Sequence, residues 1–225
     1  MFVSGNVISL LVFLSPIPTF IRIIRNRSTQ HFESLPYICT LLSASLWTYY
    51  GLIKPGSFIV VPVNGFGVLT EIVYITIFLV YAPPARRLKT IALVVVMNLL
   101  LLAAAILVTH FMMGPSLRID TVGILCAGLA IAMYGSPLAA MHRVVTTRSA
   151  EFLPLLVSLA LFTNGGVWSL YSLLAGDYFI GIPNGIGFIF GAAQLALYAI
   201  YRSPEEEAPQ TEHLLATPTD PEHQA

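Results

Sequence analysis

The sequence predicts an all-α membrane protein in which seven transmembrane helices form two parallel three-helix repeats joined by one linker helix. Three observations predict this fold class. Only 10% of the 225 residues are charged and 56% are apolar, with a mean hydropathy of +0.81, whereas a soluble domain carries about 25% charged residues. Seven apolar stretches reach the length of about 20 residues that crosses a bilayer. An ordered series of rare residues occurs twice.

The apolar stretches set the boundaries of the predicted helices. They cover residues 5–24, 35–53, 58–81, 88–112, 121–141, 153–174 and 178–201. The first stretch has no basic segment before it and no small-residue cleavage site after it, which indicates a retained span rather than a signal peptide. The segment 203–225 is rich in Pro, Glu and Thr, and we expect it to be disordered because it offers little apolar surface to bury.

Basic residues predict the orientation of the chain. Nine Lys and Arg residues lie in the connections that follow the odd-numbered spans, and only Lys54 and Arg118 lie in the others. Because cytoplasmic loops carry the excess of positive charge, we expect a non-cytoplasmic N-terminus and a cytoplasmic C-terminus. The formal net charge is zero, so nucleic acid is not an expected partner. The lipid bilayer is the partner that the composition requires.

The repeated residues are mainly proline, tryptophan, asparagine and glycine rather than generic apolar side chains. Each has an identical counterpart 118 to 121 positions later. The matched pairs are Ser15-Pro16 with Ser136-Pro137, Arg22 with Arg143, Leu35-Pro36 with Leu153-Pro154, Trp47 with Trp168, Tyr50 with Tyr171, Asn64-Gly65 with Asn184-Gly185, and Tyr81 with Tyr201. The chain therefore divides into a repeat at 1–84, a linker helix at 85–115, a second repeat at 116–202 and a tail at 203–225.

The odd number of spans in each copy explains the linker. A three-helix copy that starts outside ends inside, so a second copy joined directly to it would be inverted. The unrepeated span at 88–112 carries the chain back across the membrane and makes the copies parallel. Parallel repeats related by an axis along the membrane normal occur in carriers whose binding site lies between the halves.

Four repeated prolines are predicted at one depth, toward the cytoplasmic ends of four spans. Pro16 and Pro137 each lie six residues before an arginine, about 9 Å from that edge, while Pro36 and Pro154 enter from it. A proline inside a helix removes one backbone hydrogen bond and kinks the helix. Four matched kinks are candidate hinges of the inner mouth. The alternative is that proline is simply frequent in membrane helices.

Two tryptophans and two asparagines form a second predicted layer, nearer the middle of the membrane. Trp47 and Trp168 lie about six residues before the outer ends of their spans. Asn64 and Asn184 lie about six residues after the outer ends of theirs, so all four are expected at the same depth. A carboxamide offers two donors and an acceptor for hydroxyl groups, and an indole packs against the C–H face of a sugar ring. All four side chains are uncharged, which suits a small neutral solute. The alternative is structural, since asparagine also ties membrane helices together and tryptophan populates the interfacial belt.

Three acidic or phenolic side chains complete the candidate residues. Tyr50 and Asp177 lie at the outer ends of their spans and could meet across the mouth as a gate; the alternative is an aspartate that only faces solvent. Glu71 is predicted inside a span, where a carboxylate is functional by default. It is either a proton site or a neutral structural acid, because its counterpart is Gly191 and the spans offer it no basic partner.

Together these features resemble the SWEET sugar transporters, which are relatives of the wider group of PQ-loop carriers. The resemblance covers residues 5–202 and is closest to plant members of the hexose-transporting, vacuolar type. Its most specific segments are Ser15-Pro16, Leu35-Pro36-Tyr37, Trp47 to Gly51, Asn64-Gly65, Ser136-Pro137, Phe152-Leu153-Pro154 and Ile182-Pro183-Asn184-Gly185.

The resemblance implies a bidirectional uniporter that moves a mono- or disaccharide, with hexose favoured, down its gradient by alternating access. It assigns sugar binding to the Asn–Trp layer, a hinge role to the four prolines and a gate role to Tyr50 with Asp177. It also favours the structural interpretation of Glu71. No cofactor and no metal are expected. We further expect a homo-oligomer in the vacuolar or plasma membrane.

Other classes of function are weaker interpretations of the same residues. An enzyme would need a constellation such as paired aspartates or His-Glu-x-x-His, which the spans lack. A seven-helix receptor would not show a parallel duplication, and one of the retinal type would carry a lysine within a span, whereas Lys54 and Lys89 lie at helix ends. A PQ-loop carrier of amino acids would display the Pro-Gln dipeptide, but the four prolines precede Ile, Tyr, Leu and Leu. The receptor and the amino-acid carrier remain the alternatives.

Overall fold

A computed structural model describes residues 2–153 and 155–202, and the regular elements in these ranges are helices. The α-helices are Phe2–Leu14 (α1), Ile17–Asn26 (α2), Leu35–Ile53 (α3), Val60–Tyr81 (α4), Pro84–Val94 (α5), Leu102–Met112 (α6), Pro115–Met133 (α7), Gly135–Thr147 (α8), Leu155–Ala175 (α9) and Tyr178–Tyr201 (α10). A π-helical segment, Val95–Leu101, joins α5 to α6, and a 3₁₀ turn, Ala150–Phe152, precedes α9. Pro154 and the predicted tail at 203–225 lie outside the described residues.

The helices combine into seven spans in the predicted 3+1+3 arrangement. The first repeat is α1 with α2, then α3 and α4; the linker runs from α5 to α6; the second repeat is α7 with α8, then α9 and α10. Six of these spans are long and apolar enough to cross a membrane. The seventh, α3, has 19 residues, which extend about 28 Å. It is more polar because it carries several serine, threonine and tyrosine side chains, of which Tyr50 is buried in the protein interior.

Span five is longer than predicted, because a charged residue near its start, Arg118, belongs to the helix. The sequence predicts its start at residue 121, whereas α7 begins at Pro115, directly after a two-residue connection. Arg118 interrupts the apolar run, but its guanidinium donates to the carbonyl oxygens of Thr109 and His110 at 3.0 and 2.8 Å. These carbonyls end α6 and have no partner within their own helix. The arginine therefore tightens the turn instead of marking a loop.

Spans one and five are each broken beside a repeated Ser-Pro pair. Helix α1 ends two residues before Pro16, where the carbonyl of Val12 accepts from the hydroxyl and the backbone N–H of Ser15 instead. In the second repeat the break falls at Tyr134, three residues before Pro137. A proline ring clashes with the preceding helical turn, so each ring lies just after the break that it causes.

Pro36 behaves differently, and the predicted kink at this residue is wrong. It is the second residue of α3, where the backbone N–H of any residue would have no intrahelical partner. A proline there costs no hydrogen bond and instead presets the first turn of a helix. Pro36 therefore begins a span, whereas Pro16 and Pro137 interrupt one.

The most extensive helix contacts between the two repeats are those of α1 with α9 and of α3 with α7. A buried core spans this junction and contains Leu46, Tyr50 and Val63 from the first repeat with Val122 and Trp168 from the second. Helices α2 and α8 pack mainly within their own repeats, α2 on α4 and α8 on α7 and α10. The junction therefore lies away from the broken, proline-bearing ends of spans one and five.

The linker packs on the first repeat. The Asn98 amide donates to the carbonyl of Ile38 in α3 at 3.2 Å, and the hydroxyls of Ser34 and Thr90 are 2.8 Å apart. The π-helical segment that holds Asn98 adds a residue to the turn and turns this amide inward, where it is buried. Linker residues are absent from the lining of the central cavity described below, so the linker supports α3 from behind.

One glycine in each repeat allows two of its helices to pack closely. A Cβ on Gly67 would lie 2.3 Å from the ring of Phe13, and one on Gly187 would lie 2.3 Å from the hydroxyl of Tyr134. Phe13 and Tyr134 occupy matched positions of the two copies. Gly65 has no heavy atom within 4 Å of the same point, so it does not mark a close contact of this kind.

Candidate functional site

A cavity of about 180 Å³ lies between the two repeats. The structure brings to it all four residues of the predicted layer, Trp47, Asn64, Trp168 and Asn184. The other lining residues are Ser9, Val12, Phe13, Val60, Val63, Asn164 and Ile180. None of these eleven side chains is ionisable. The polar lining of the cavity consists of amides, indoles and one hydroxyl.

The two asparagines have the same geometry in both repeats. The amide nitrogen of Asn64 donates to the carbonyl of Val60 at 2.8 Å, and that of Asn184 donates to the carbonyl of Ile180 at 2.8 Å. One hydrogen bond to the preceding turn fixes each side chain. The second N–H and the carbonyl oxygen of each amide have no hydrogen bond to another described residue, so both remain available to a solute.

The tryptophans are each held by a tyrosine three residues further along the helix. The rings of Trp47 and Tyr50 are 5.5 Å apart and nearly perpendicular, and those of Trp168 and Tyr171 are 5.6 Å apart with the same geometry. Edge-to-face contact of this kind is favourable beyond the area that it buries. Both indoles are therefore positioned before any solute arrives.

A hydrogen-bond chain crosses between the repeats at the cavity wall. The indole N–H of Trp168 donates to the hydroxyl of Ser9 at 2.9 Å, and this hydroxyl donates to the side-chain oxygen of Asn164 at 2.6 Å. Repeat comparison could not find Ser9 and Asn164, because their matched positions hold Ala130 and Ser43. The signal that remained was a polar residue one turn before Trp168, on the same face of α9.

Tyr50 and Asp177 meet at one end of the cavity, as the sequence predicts. The phenol of Tyr50 donates to both carboxylate oxygens of Asp177, at 2.9 and 3.1 Å. Asp177 is only 1% exposed and Tyr50 is fully buried. The alternative of a solvent-facing aspartate is therefore wrong. Asp177 also caps α10, since its side chain accepts from the backbone N–H of Ile180 at 3.3 Å.

Two further residues bind the same carboxylate and were not predicted. The ammonium of Lys54 lies 2.8 Å from Asp177, and the hydroxyl of Ser57 donates to it at 3.1 Å. Both belong to the connection between α3 and α4, which has no counterpart motif in the second repeat. We call Tyr50, Lys54, Ser57 and Asp177 the outer cluster. It ties the first repeat to the start of α10.

The candidate hinge prolines lie outside the cavity. Pro16, Pro36 and Pro137 are absent from its lining, and Pro154 falls outside the described residues. Pro16 and Pro137 lie beyond the breaks in spans one and five, toward α2 and α8 and away from the outer cluster. Their hinge role stays a prediction.

The sequence of this chain matches a known family of proteins in both repeats. The sequence profile of a family described as "Sugar efflux transporter for intercellular exchange" matches residues 1–86 and again residues 120–206. The chain belongs to this family. Its members are transporters and not enzymes, and each matched segment contains one asparagine and one tryptophan of the predicted layer.

Named relatives and a solved structure agree with the assignment to the SWEET family. The chain is 53% identical over 206 residues to bidirectional sugar transporter SWEET16 of Oryza sativa subsp. japonica, which covers 92% of this chain and 63% of that protein. It is 51% identical to SWEET17 of Arabidopsis thaliana, over 89% of this chain and 84% of the relative. A solved eukaryotic SWEET transporter superposes with a TM-score of 0.85 at 39% identity, covering 89% of this chain and 94% of the other.

Glu71 lies outside the cavity of this SWEET-family chain. It is buried in α4, 3% exposed, and its Oε2 has no hydrogen-bond partner within the described ranges. Sequence spacing places it on the face of α4 that carries Asn64, but the lining residues do not include it. This position favours the structural interpretation over a proton site that acts on the solute.

We expect Glu71→Gln to transport as the wild-type protein does, with a rate that is nearly constant between about pH 5.5 and 8. Glutamine keeps the shape and the hydrogen-bonding capacity of a neutral acid, so only a proton-carrying role would be lost. Initial rates of sugar uptake into proteoliposomes across this pH range provide the measurement. A wild-type rate that depends on pH, and loses this dependence in Glu71→Gln, would show that the residue is a proton site.

Proposed function

We propose that this chain is a bidirectional facilitative transporter that moves a sugar, with hexose favoured, down its gradient by alternating access. The single observation that carries the proposal is the cavity between the repeats, with two equivalent Asn–Trp pairs and an uncharged lining. A carrier without a coupling ion needs a site that binds a neutral solute from either side of the membrane, and a site between two equivalent halves meets this need.

Binding would use the free groups of the two carboxamides. Asn64 and Asn184 each present one N–H donor and one carbonyl oxygen that are not engaged in the protein, which matches neighbouring hydroxyls that both donate and accept. Trp47 and Trp168 supply flat apolar surfaces for the C–H face of the ring. A zwitterionic amino acid fits less well, because none of the lining residues offers a counter-charge.

Release would require the two ends of the cavity to open in turn. The outer cluster closes one end through the buried Asp177 carboxylate. At the other end α2 and α8 pack on their own repeats, and the breaks beside Pro16 and Pro137 give these segments a place to bend. We assign the α2 and α8 end to the cytoplasmic side, because the basic connections lie there.

The preference for hexose rests on size. Two indoles occupy the walls of a cavity of about 180 Å³, and a second sugar ring would require their displacement. We therefore expect glucose to be transported faster than sucrose.

Replacing either cavity asparagine tests the proposal. We expect Asn64→Ala and Asn184→Ala each to lower uptake of labelled glucose into proteoliposomes by about 3- to 10-fold, since a hydrogen bond contributes about 0.5–1.5 kcal/mol. The double variant should lower it further. Labelled sucrose and a labelled neutral amino acid are measured in parallel.

Asn98→Ala is the matched control, because it removes a buried asparagine that supports the linker and does not line the cavity. Its uptake should remain close to wild type. Unchanged glucose uptake in both cavity variants would remove the proposed site, and uptake of the amino acid in place of glucose would favour the other class of carrier.

A further inference from the structure

A second cavity, of about 370 Å³, opens between α2 and α4 on the outside of the first repeat. We call it the α2–α4 groove. Its walls include Ile17, Ile21 and Ile24 of α2 with Leu69 and Val73 of α4, and all five side chains are exposed. Because the chain spans a membrane, an exposed apolar groove at this position faces the acyl chains of the bilayer.

The groove has no polar group that needs water. Its two hydroxyl-bearing residues are already bonded to backbone carbonyls. Thr70 donates to the carbonyl of Phe66 at 2.9 Å, and Tyr74 donates to that of Phe13 at 3.0 Å. A cavity lined in this way stays dry and favours an apolar occupant.

The height of the groove matches one leaflet of the membrane. Its lining on the first span runs from Leu14 to Ile24, ten residues that rise about 15 Å. The hydrocarbon core of a bilayer is about 30 Å thick. One acyl chain of a lipid in the leaflet on the α2 side therefore has the length to fill the groove.

A cation stands at the headgroup end of the groove. Arg25 follows Ile21 by four residues and so lies on the same side of α2, one turn nearer the membrane edge. It is exposed and makes no hydrogen bond or ion pair with another described residue. The matched position in the second repeat is Thr146, so this charge belongs to the first repeat alone. Basic side chains beside a membrane-facing pocket attract anionic headgroups.

We propose that the α2–α4 groove binds an acyl chain of an anionic phospholipid whose headgroup is held by Arg25. The dry groove selects the chain, its height places the phosphate at the end of α2, and the unpaired guanidinium meets the phosphate there. The site is separate from the cavity between the repeats, with which the groove shares no lining residue.

Lipid titration followed by native mass spectrometry tests the proposal on the delipidated full chain. Phosphatidylglycerol and phosphatidylcholine with identical acyl chains are the two probes. We expect wild type to bind phosphatidylglycerol about fivefold more tightly, and Arg25→Gln to lose most of this preference. Ile21→Trp, which fills the groove, should weaken the binding of both lipids, and Val73→Trp should do the same from the opposite wall.

Arg22→Gln is the matched control. Arg22 directly follows Ile21 and points about 100° away from it around α2, against about 40° for Arg25, so the same charge is lost from the same helix further from the groove. The preference for phosphatidylglycerol should then persist. If Arg22→Gln and Arg25→Gln lose the preference for phosphatidylglycerol equally, the attraction to basic residues is diffuse and the site is overturned. Full lipid binding by Ile21→Trp and Val73→Trp, at wild-type melting temperatures, would also overturn it. This readout is independent of sugar uptake, so its failure leaves the proposed function untouched.

Discussion

Replacing Asp177 with alanine is expected to open the outer end of the cavity and to lower sugar uptake at least about tenfold. The carboxylate accepts from Tyr50 and Ser57 and pairs with Lys54. Asp177 is 1% exposed and the Lys54 side chain is 22% exposed, so loss of the carboxylate costs more than the roughly 0–1 kcal/mol of a surface pair and less than the about 3–5 kcal/mol of a fully buried one. The closed outer end would lose this free energy, and a carrier that cannot close one end cannot complete its cycle.

A cysteine reporter measures the opening directly. Ile180 lies between the outer cluster and Asn184 and is 2% exposed. In a background without Cys39 and Cys126, Ile180→Cys should resist a membrane-impermeant maleimide. The addition of Asp177→Ala should make it reactive from the outer side.

Asp120→Ala is the control for the gate experiment, since Asp120 is an exposed acid near the start of α7, at the same end of the molecule. It should change neither labelling nor uptake. If Asp177→Ala leaves the reporter protected and the uptake normal, the outer cluster is not a gate.

Adding one methyl group at Gly165 is expected to destabilise the folded protein more than any single hydrogen-bond deletion in the cavity. A Cβ at this position would lie 2.6 Å from the backbone nitrogen of Phe188 and 2.9 Å from the carbonyl oxygen of Asn184. These are backbone atoms of α10 and cannot rotate away. Helices α9 and α10 would have to separate, and overpacking of this kind typically costs about 1–3 kcal/mol or more.

Thermal unfolding of Gly165→Ala in detergent provides the measurement, with an expected fall in melting temperature of roughly 4–10 °C. Gly185→Ala is the matched control on the facing helix, because its Cβ would meet only the hydroxyl of Ser169 at 3.9 Å. Equal melting temperatures for the two variants would contradict the close approach of α9 and α10.

Helix boundaries were predictable wherever apolar residues alone set them. Helices α3 and α10 begin and end at the predicted residues, since both are continuous runs bounded by polar or glycine-bearing connections. The prediction was wrong where a charged or special residue serves a neighbouring element. Arg118 caps α6 from inside α7, and Pro36 starts a helix where a kink was expected.

The cavity residues that both repeats share could be predicted from the sequence, and those that only one repeat has could not. Asn64 and Asn184 hold matched positions with matched hydrogen bonds, so aligning the copies identified them without coordinates. Ser9 and Asn164 touch each other across the repeats but have unlike counterparts. No internal comparison can find a contact that only one copy makes.

The sequence by itself determined the number of spans, the duplication and the rare residues shared by both copies, because hydropathy and spacing are local properties of the chain. Only the tertiary structure decided which polar groups meet. Lys54 and Asp177 are 123 positions apart and yet form one ion pair around a buried carboxylate. Their approach depends on how the packing of the two repeats brings the end of α3 to the start of α10, and the free energy of burying the carboxylate then favours a charged partner.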